Sequence, residues 1–229
     1  MMEDPTALLI ILGVAAVIIL FIILGVVSAK AERRRINELL AHAATQGWER
    51  TNDVTRMPPA VAEAARSGRS RLFLRHRYSP MWISWHRWTE TSSSSSYNSS
   101  SGRWESSSST TTHNLTRYFA ALSGYFPDVS VERRTKIGAF LKHRRGVGTG
   151  WDVFDRMYVV KPTDDPAAVR VINPRLMQAL TAGAAGPFKI AGSVVSLSDG
   201  SPIRREDLQR RTDELRRLIA LINQDSSPY

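Results

Sequence analysis

A single apolar run near the N-terminus constrains this 229-residue chain more than any other feature. Residues 7–27 read ALLIILGVAAVIILFIILGVV, without a charged or strongly polar side chain. As an α-helix the run would be about 31 Å long, close to the roughly 30 Å hydrocarbon core of a bilayer. A buried helix of a soluble protein rarely continues this far without a polar face. The sequence therefore predicts one transmembrane helix over residues 7–27.

The charges on either side of the run predict its orientation. Two acidic residues precede it, and four basic residues follow it closely: Glu3 and Asp4, then Lys30, Arg33, Arg34 and Arg35. The positive-inside rule then places residues 1–6 outside the plasma membrane and the main domain in the cytoplasm. A cleaved signal peptide is the alternative, but the acidic start, the long apolar run and the arginine cluster argue against it.

The remaining sequence is strongly basic. From residue 28 onward it carries 31 basic and 19 acidic residues, a net charge of +12. A tethered domain with this charge is attracted to an anionic inner leaflet, and nucleic acid is the other usual partner of such charge. The chain has no cysteine, which excludes disulfides, thiol chemistry and cysteine-based metal sites.

Serine and threonine make up sixteen of the twenty-two residues in 91–112. Such composition is typical of a disordered linker. However, aromatic and branched residues flank the tract on both sides, and Tyr97–Gly102 supplies turn residues near its middle. An unstructured insertion of this length inside a compact domain would also be unusual. We therefore expect one long hairpin that belongs to a single domain over residues 48–223.

The other elements follow from local periodicity. The patterns predict a basic juxtamembrane helix (28–47), a short helix (57–68) and two strands before the tract (71–78 and 81–88). After the tract they predict strands over 113–122, 127–134 and 151–160, an interrupted helical region (164–186), a hairpin (188–203), a final helix (204–223) and a tail (224–229). This order indicates an α+β fold with a mainly antiparallel sheet and flanking helices.

No motif specifies a reaction. GVGTG at 146–150 lacks the Gly-Lys-Ser/Thr ending of a phosphate-binding loop. The histidines show no metal-ligand spacing, and Asp152 and Asp155 would point to opposite faces of the predicted strand. We therefore expect no catalytic residues, no cofactor and no metal, and an enzyme is only the third hypothesis.

The predicted contact residues are basic. We expect contact with anionic lipid or a protein partner through Arg33, Arg34, Arg35, Arg133, Arg134, Lys136, Lys142, Arg144 and Arg145. Four tryptophans raise base stacking on nucleic acid as an alternative, although core packing and interface anchoring are more usual for such residues: Trp82, Trp85, Trp88 and Trp104.

Several segments together resemble a known kind of protein. They are the N-terminal span, Gly47-Trp48 after a basic helix, the run HNLTRYFAALSGYFPDVSVERR, and WDVFDRMYVV. The chain is similar to a family of single-span bacterial membrane proteins with a cytoplasmic α+β domain and no established activity. The segment Phe154–Val159 is the most recognisable element, whereas the serine-rich hairpin departs from the family pattern. The resemblance implies an architecture and no catalytic residues.

The sequence thus predicts a membrane-anchored, non-enzymatic binding or accessory module with a basic cytoplasmic domain. A membrane-tethered nucleic-acid-binding protein is the first alternative.

Overall fold

The computed structural model describes residues 5–55, 57–66, 70–100, 102–134, 146–163 and 166–223. Its helices are α1 (Pro5–Thr45), α2 (Pro59–Arg66), α3 (Asp152–Met157), α4 (Pro174–Thr181) and α5 (Arg205–Asn223), with a 3₁₀ helix at Pro166–Val171. Its strands are β1 (Trp48–Arg50), β2 (Ser70–His76), β3 (Met81–Asn98), β4 (Arg103–Arg133), β5 (Tyr158–Pro162) and β6 (Phe188–Asp199). The fold is α+β, as predicted.

Helix α1 is one continuous helix of 41 residues that joins the apolar run to the domain. Its stretch Ala15–Thr45 is long and apolar enough to cross a membrane by length and composition. The apolar side chains of residues 15–27 stand free of the domain, and Phe21, for example, is 69% exposed. The helix ends before Gly47, whose φ of 82° is the left-handed conformation that commonly terminates helices.

The six strands form one antiparallel sheet in which β4 is central. Strand β6 lies along one edge of β4, while β3 and then β5 lie along the other, and β2 and β1 extend the sheet beyond β3. The predicted strand 127–134 is therefore not separate, because it is the end of the 31-residue strand β4.

The two faces of the sheet are covered differently. The main core lies on one face, under α1, α3, α4 and α5, and includes Leu74, Trp85, Ile190, Leu215 and Leu218. A smaller cluster on the other face packs under α2; its members are Val61, Ala64, Phe73, Trp82, Phe119 and Val194.

The serine- and threonine-rich tract is a hairpin and not a linker. Strands β3 and β4 pair without a register shift from Met81 opposite Ala120 to Asn98 opposite Arg103. Hydroxyl groups face each other across the strands, with Oγ atoms 2.9 Å apart between Ser92 and Ser109. Because these short side chains bond to one another across the strands, the polar hairpin continues the sheet without a core of its own.

The strand predicted over 151–160 is wrong for its first half. Residues Asp152–Met157 form helix α3, and only Tyr158 onward is strand. Two acidic residues in the first turn suit the positive end of a helix, and Phe154 is fully buried against Tyr158. Asp152 and Asp155 consequently lie three apart on a helix and do not point to opposite faces of a strand.

The hairpin predicted within 188–203 is also wrong. Strand β6 is unbroken, and both its halves pair with β4. Gly192 has a φ of 58°, but the register shift falls on β4, between Ala121 and Val129, where extra residues bulge out. The Gly192 amide donates to the Asp128 carboxylate at 2.8 Å. The positive φ therefore fits a bulge here and not a chain reversal.

Candidate functional site

Helix α1 is fastened to the domain at successive levels along its length. Near its C-terminal end, Leu39 and Ala43 are buried in the main core. One turn further toward the N-terminus, the Arg35 guanidinium lies 5.9 Å from the centre of the Trp85 ring and donates to the Ile203 carbonyl at 3.1 Å.

Further along α1, a carboxylate and a guanidinium join it to β3. Arg87 Nη1 lies 3.3 Å from Glu32 Oε1, and both side chains are partly buried. The two contacts therefore follow each other in step along both elements: Arg35 contacts Trp85, and then Glu32 contacts Arg87. The helix and the strand therefore run out of the domain at the same end.

A cleft opens where the two elements leave the domain. We call it the juxtamembrane cleft, and its lining residues are Ser28, Ala29, Glu32, Arg71, Arg87, Trp88 and Thr89. Two guanidinium groups and one carboxylate therefore lie together beside the first turn after the apolar run, while the Trp88 side chain points to the opposite face of β3 from Arg87. Such a combination suits a phosphate-bearing group beside an apolar surface.

An aromatic stack joins β3 to β4 beside the cleft. Trp88 lies on His113 of the neighbouring strand with ring centres 5.2 Å apart and planes inclined by 18°. His113 Nε2 is in turn 3.4 Å from a carboxylate oxygen of Glu90. These cross-strand contacts fix the position of the indole on the face of β3 opposite Arg87.

The three arginines predicted on α1 have different surroundings. Arg33 and Arg34 are exposed, and Arg34 is 3.6 Å from Glu38. Arg35 is held by Trp85 and Ile203, so its charge is partly committed to the domain.

The fold groups arginines of the last helix, which we also expect to contact lipid, with α1, and it adds Arg71 and Arg87, which the sequence prediction did not include. Arg205 lies 3.2 Å from Glu38, which places it and Arg204 beside α1. Arg71 and Arg87 reach the cleft from β2 and β3. Sequence spacing holds no signal for these groupings, because only the tertiary fold brings the segments together.

The described part of the predicted basic segment, Arg133 and Arg134, lies elsewhere. Arg133 ends β4 at the opposite end of that strand from the hairpin, and the Arg134 Nε donates to the Asp155 carbonyl at 2.7 Å. The other predicted residues, Lys136, Lys142, Arg144 and Arg145, fall within 135–145, outside the described residues.

The histidines have mainly structural surroundings. Burial lowers the pKa of His76 and of His86, and the ring nitrogen of His86 lies 3.1 Å from the Ser84 hydroxyl. Within the ranges that the structure describes, no three His, Asp or Glu side chains are grouped so as to hold a metal ion.

Two further candidates also have structural surroundings. The Asp155 carboxylate accepts hydrogen bonds from the Thr149 amide and hydroxyl, which fasten the 146–150 loop. Trp82 and Trp85 are buried, so they are not available for base stacking.

Comparison with known proteins found no matching family model, no matching curated protein and no matching solved structure. The roles of the residues are therefore argued from the geometry of this chain.

Proposed function

We propose that this protein is a single-span, membrane-anchored binding module that acts without catalysis. Its basic domain lies on the cytoplasmic side of the plasma membrane and contacts anionic lipid headgroups through the juxtamembrane cleft. The observation that supports this most directly is position. The cleft begins at Ser28, the first residue after the apolar run, and contains Arg71, Arg87 and Trp88.

Depth in the bilayer follows from the length of the apolar run. If residues 7–27 fill the hydrocarbon core, Ser28 and Ala29 lie at the level of the headgroups. The cationic groups of the cleft then meet the lipid phosphates, and Trp88 lies where interfacial tryptophans are favoured.

Charge around the cleft strengthens the attraction. Each basic side chain close to an anionic surface contributes about 1 kcal/mol, and the effect weakens within a Debye length and with salt. The residues that add to the cleft at this end of the domain are Lys30, Arg33, Arg34, Arg204 and Arg205.

The test uses the full chain in lipid nanodiscs that contain a fixed fraction of phosphatidylserine in phosphatidylcholine. Native mass spectrometry measures which lipids stay bound after the belt is removed. We expect phosphatidylserine to be enriched, and Arg71→Gln to reduce that enrichment by up to about fivefold, which corresponds to one contact of about 1 kcal/mol.

The matched control is Arg156→Gln. Arg156 is exposed on α3, in the part of the fold next to the far end of β4, and should leave the enrichment unchanged. Equal retention of both lipids by the unchanged protein would contradict the proposal. Submicromolar binding of a single-stranded oligonucleotide in the same buffer would favour the nucleic-acid alternative instead.

A further inference from the structure

A cavity lies on the face of the sheet opposite α1. Its volume is about 500 Å³, and its walls come from α2, β4 and β6. Ala64 and Phe119 of the smaller apolar cluster form part of its lining, which places the cavity beside α2. Small-molecule sites in proteins commonly have a volume in this range. We call this space the bend cavity, after the bend in β6 that forms one of its walls.

The bend is built around Gly192. This residue has a φ of 58°, β4 bulges opposite it, and its amide donates a hydrogen bond to the Asp128 carboxylate at 2.8 Å. The Ser196 hydroxyl donates to the Lys189 carbonyl at 3.3 Å, although seven residues of a straight strand would span about 23 Å. The two halves of β6 therefore fold toward each other, and residues from both halves line the bend cavity.

Charged side chains of both signs and two hydroxyl groups line the bend cavity: Glu63, Arg117, Asp128, Lys189, Ser196 and Ser198. Within the described ranges, the side chains of Glu63, Arg117 and Lys189 have no hydrogen-bonding or ion-pair partner. The cavity therefore presents two cations and a carboxylate whose hydrogen-bonding capacity is not used within the described fold. A charged ligand can bind such groups without first breaking an internal contact.

The balance of charge in the cavity indicates the kind of ligand. A purely anionic ligand would be repelled by Glu63 and Asp128, and a purely cationic one by Arg117 and Lys189. A ligand with one group of each sign avoids both penalties. Arg117 is directly opposite Ser198 in the register between β4 and β6, so a guanidinium and a hydroxyl can share one carboxylate. Glu63, on α2, can accept hydrogen bonds from an ammonium group.

We infer that the bend cavity binds a small amino carboxylate, the class that includes free amino acids and short peptides. Arg117 and Ser198 bind the carboxylate of the ligand, Glu63 binds its ammonium group, and Phe119 contacts its apolar atoms. The cavity is on the other face of the sheet from α1, so this binding is independent of the proposed contact between the juxtamembrane cleft and lipid.

The test uses the full chain in phosphatidylcholine nanodiscs and triglycine as the probe. Two blocked peptides are matched to it: N-acetyltriglycine lacks the ammonium group, and triglycinamide lacks the carboxylate. Saturation-transfer NMR measures the affinity of each peptide, with empty nanodiscs as the blank. We expect triglycine to bind about fivefold or more tightly than either blocked peptide, because each blocked peptide loses one set of charge-assisted hydrogen bonds.

Two substitutions separate the two ends of the ligand. Arg117→Gln should weaken the binding of triglycine and N-acetyltriglycine and leave that of triglycinamide unchanged. Glu63→Gln should weaken the binding of triglycine and triglycinamide and leave that of N-acetyltriglycine unchanged. A misfolded variant would lose all three peptides, so these opposite patterns cannot come from a loss of structure. The control is Arg156→Gln, exposed on α3 and outside the cavity, which should change none of the three affinities.

The serine headgroup of phosphatidylserine carries the same two groups, so the titration is repeated in nanodiscs that contain this lipid. Unchanged binding of triglycine supports a soluble ligand, whereas competition by the lipid would overturn it and assign the cavity to the headgroup. Equal affinity of the unchanged protein for all three peptides, or no saturation transfer to triglycine at millimolar concentration, would overturn the inference as a whole. Such a failure would leave the proposed lipid contact of the juxtamembrane cleft intact, since lipid enrichment is measured separately.

Discussion

At the scale of single residues, Arg211 links β6 to α5. Its guanidinium lies 2.7 Å from Asp199 at the end of β6 and 2.9 Å from Glu214 on α5. Glu214 also accepts the Gly186 amide at 2.6 Å. Burial by itself would raise the pKa of Asp199, but hydrogen bonds from Ser201 and Arg211 outweigh it, so this pKa lies below its ordinary value.

Removing this guanidinium should destabilise the domain strongly. Arg211→Met leaves two partly buried carboxylates without their cation, and breaking a buried ion pair costs about 3 kcal/mol or more. For a protein of this size we expect the melting temperature in detergent to fall by about 6–12 °C. The control is Arg210→Met on the same helix, whose exposed pair with Asp207 should contribute at most about 1 kcal/mol. Equal shifts for the two variants would contradict a structural role for the buried network.

The buried histidines should make stability depend on mild acid. Burial lowers the pKa of His76 and His86 below the ordinary value of 6.5, and the nearby Arg216 and Arg117 respectively lower them further. The unfolded chain then binds protons more readily than the folded one, so stability is full above pH 6.5 and decreases as the pH falls toward the folded pKa values.

We therefore expect a lower melting temperature at pH 5.5 than at pH 7.5, measured in the same detergent. His86→Gln should reduce that difference, because the remaining buried imidazole is His76. A difference of unchanged size in this variant would show that His86 does not carry the effect.

At the scale of elements, local sequence patterns were sufficient to predict those segments whose conformation depends on their own side chains. The helix that contains the apolar run, the alternation of Trp82 and Trp85 between sheet faces, and the turn near Gly102 all follow from short-range periodicity and turn chemistry. The hairpin was also predictable, because aromatic strands bracket a tract that can pair with itself.

The errors arose where distant partners decide the conformation. Helix α3 has the alternation of a strand, but burial of Phe154 and the bonds from Thr149 to Asp155 stabilise a helical turn. In β6, Gly192 resembles a hairpin turn until the bulged segment of β4 opposite it is known.

The juxtamembrane cleft was beyond sequence reasoning for the same reason. Ser28, Arg71 and Arg87 are widely separated along the chain, and packing of α1 on β3 brings them together. The arginines near the apolar run were predictable from the sequence, but the guanidinium groups that join them from the sheet were not.

At the scale of the whole molecule, the continuity of α1 would tie the orientation of the domain to the proposed membrane span. The helix carries no break between the apolar run and Thr45, and Glu32, Arg35 and Glu38 each contact a different part of the domain. A rigid connection of this kind would position the cleft relative to a bilayer without a flexible linker. In the proposed span, the side of the membrane on which α1 ends would therefore determine where the cleft acts.

The final prediction concerns that side. Lys30, Arg33 and Arg34 follow the apolar run directly, and the positive-inside rule places them and the C-terminus in the cytoplasm. With a reporter active only in the cytoplasm fused to Tyr229, and one active only outside fused to the same residue in a parallel chain, we expect signal from the cytoplasmic reporter alone. Replacing these three residues by glutamine should produce a mixed orientation. Replacing Arg204, Arg205 and Arg210 by glutamine is the control and should leave the orientation unchanged. Those three arginines are far from the span in sequence, and the orientation depends on charges close to the span. Signal from the outside reporter alone in the unchanged protein would place the domain outside the cell and remove the inner leaflet as its partner.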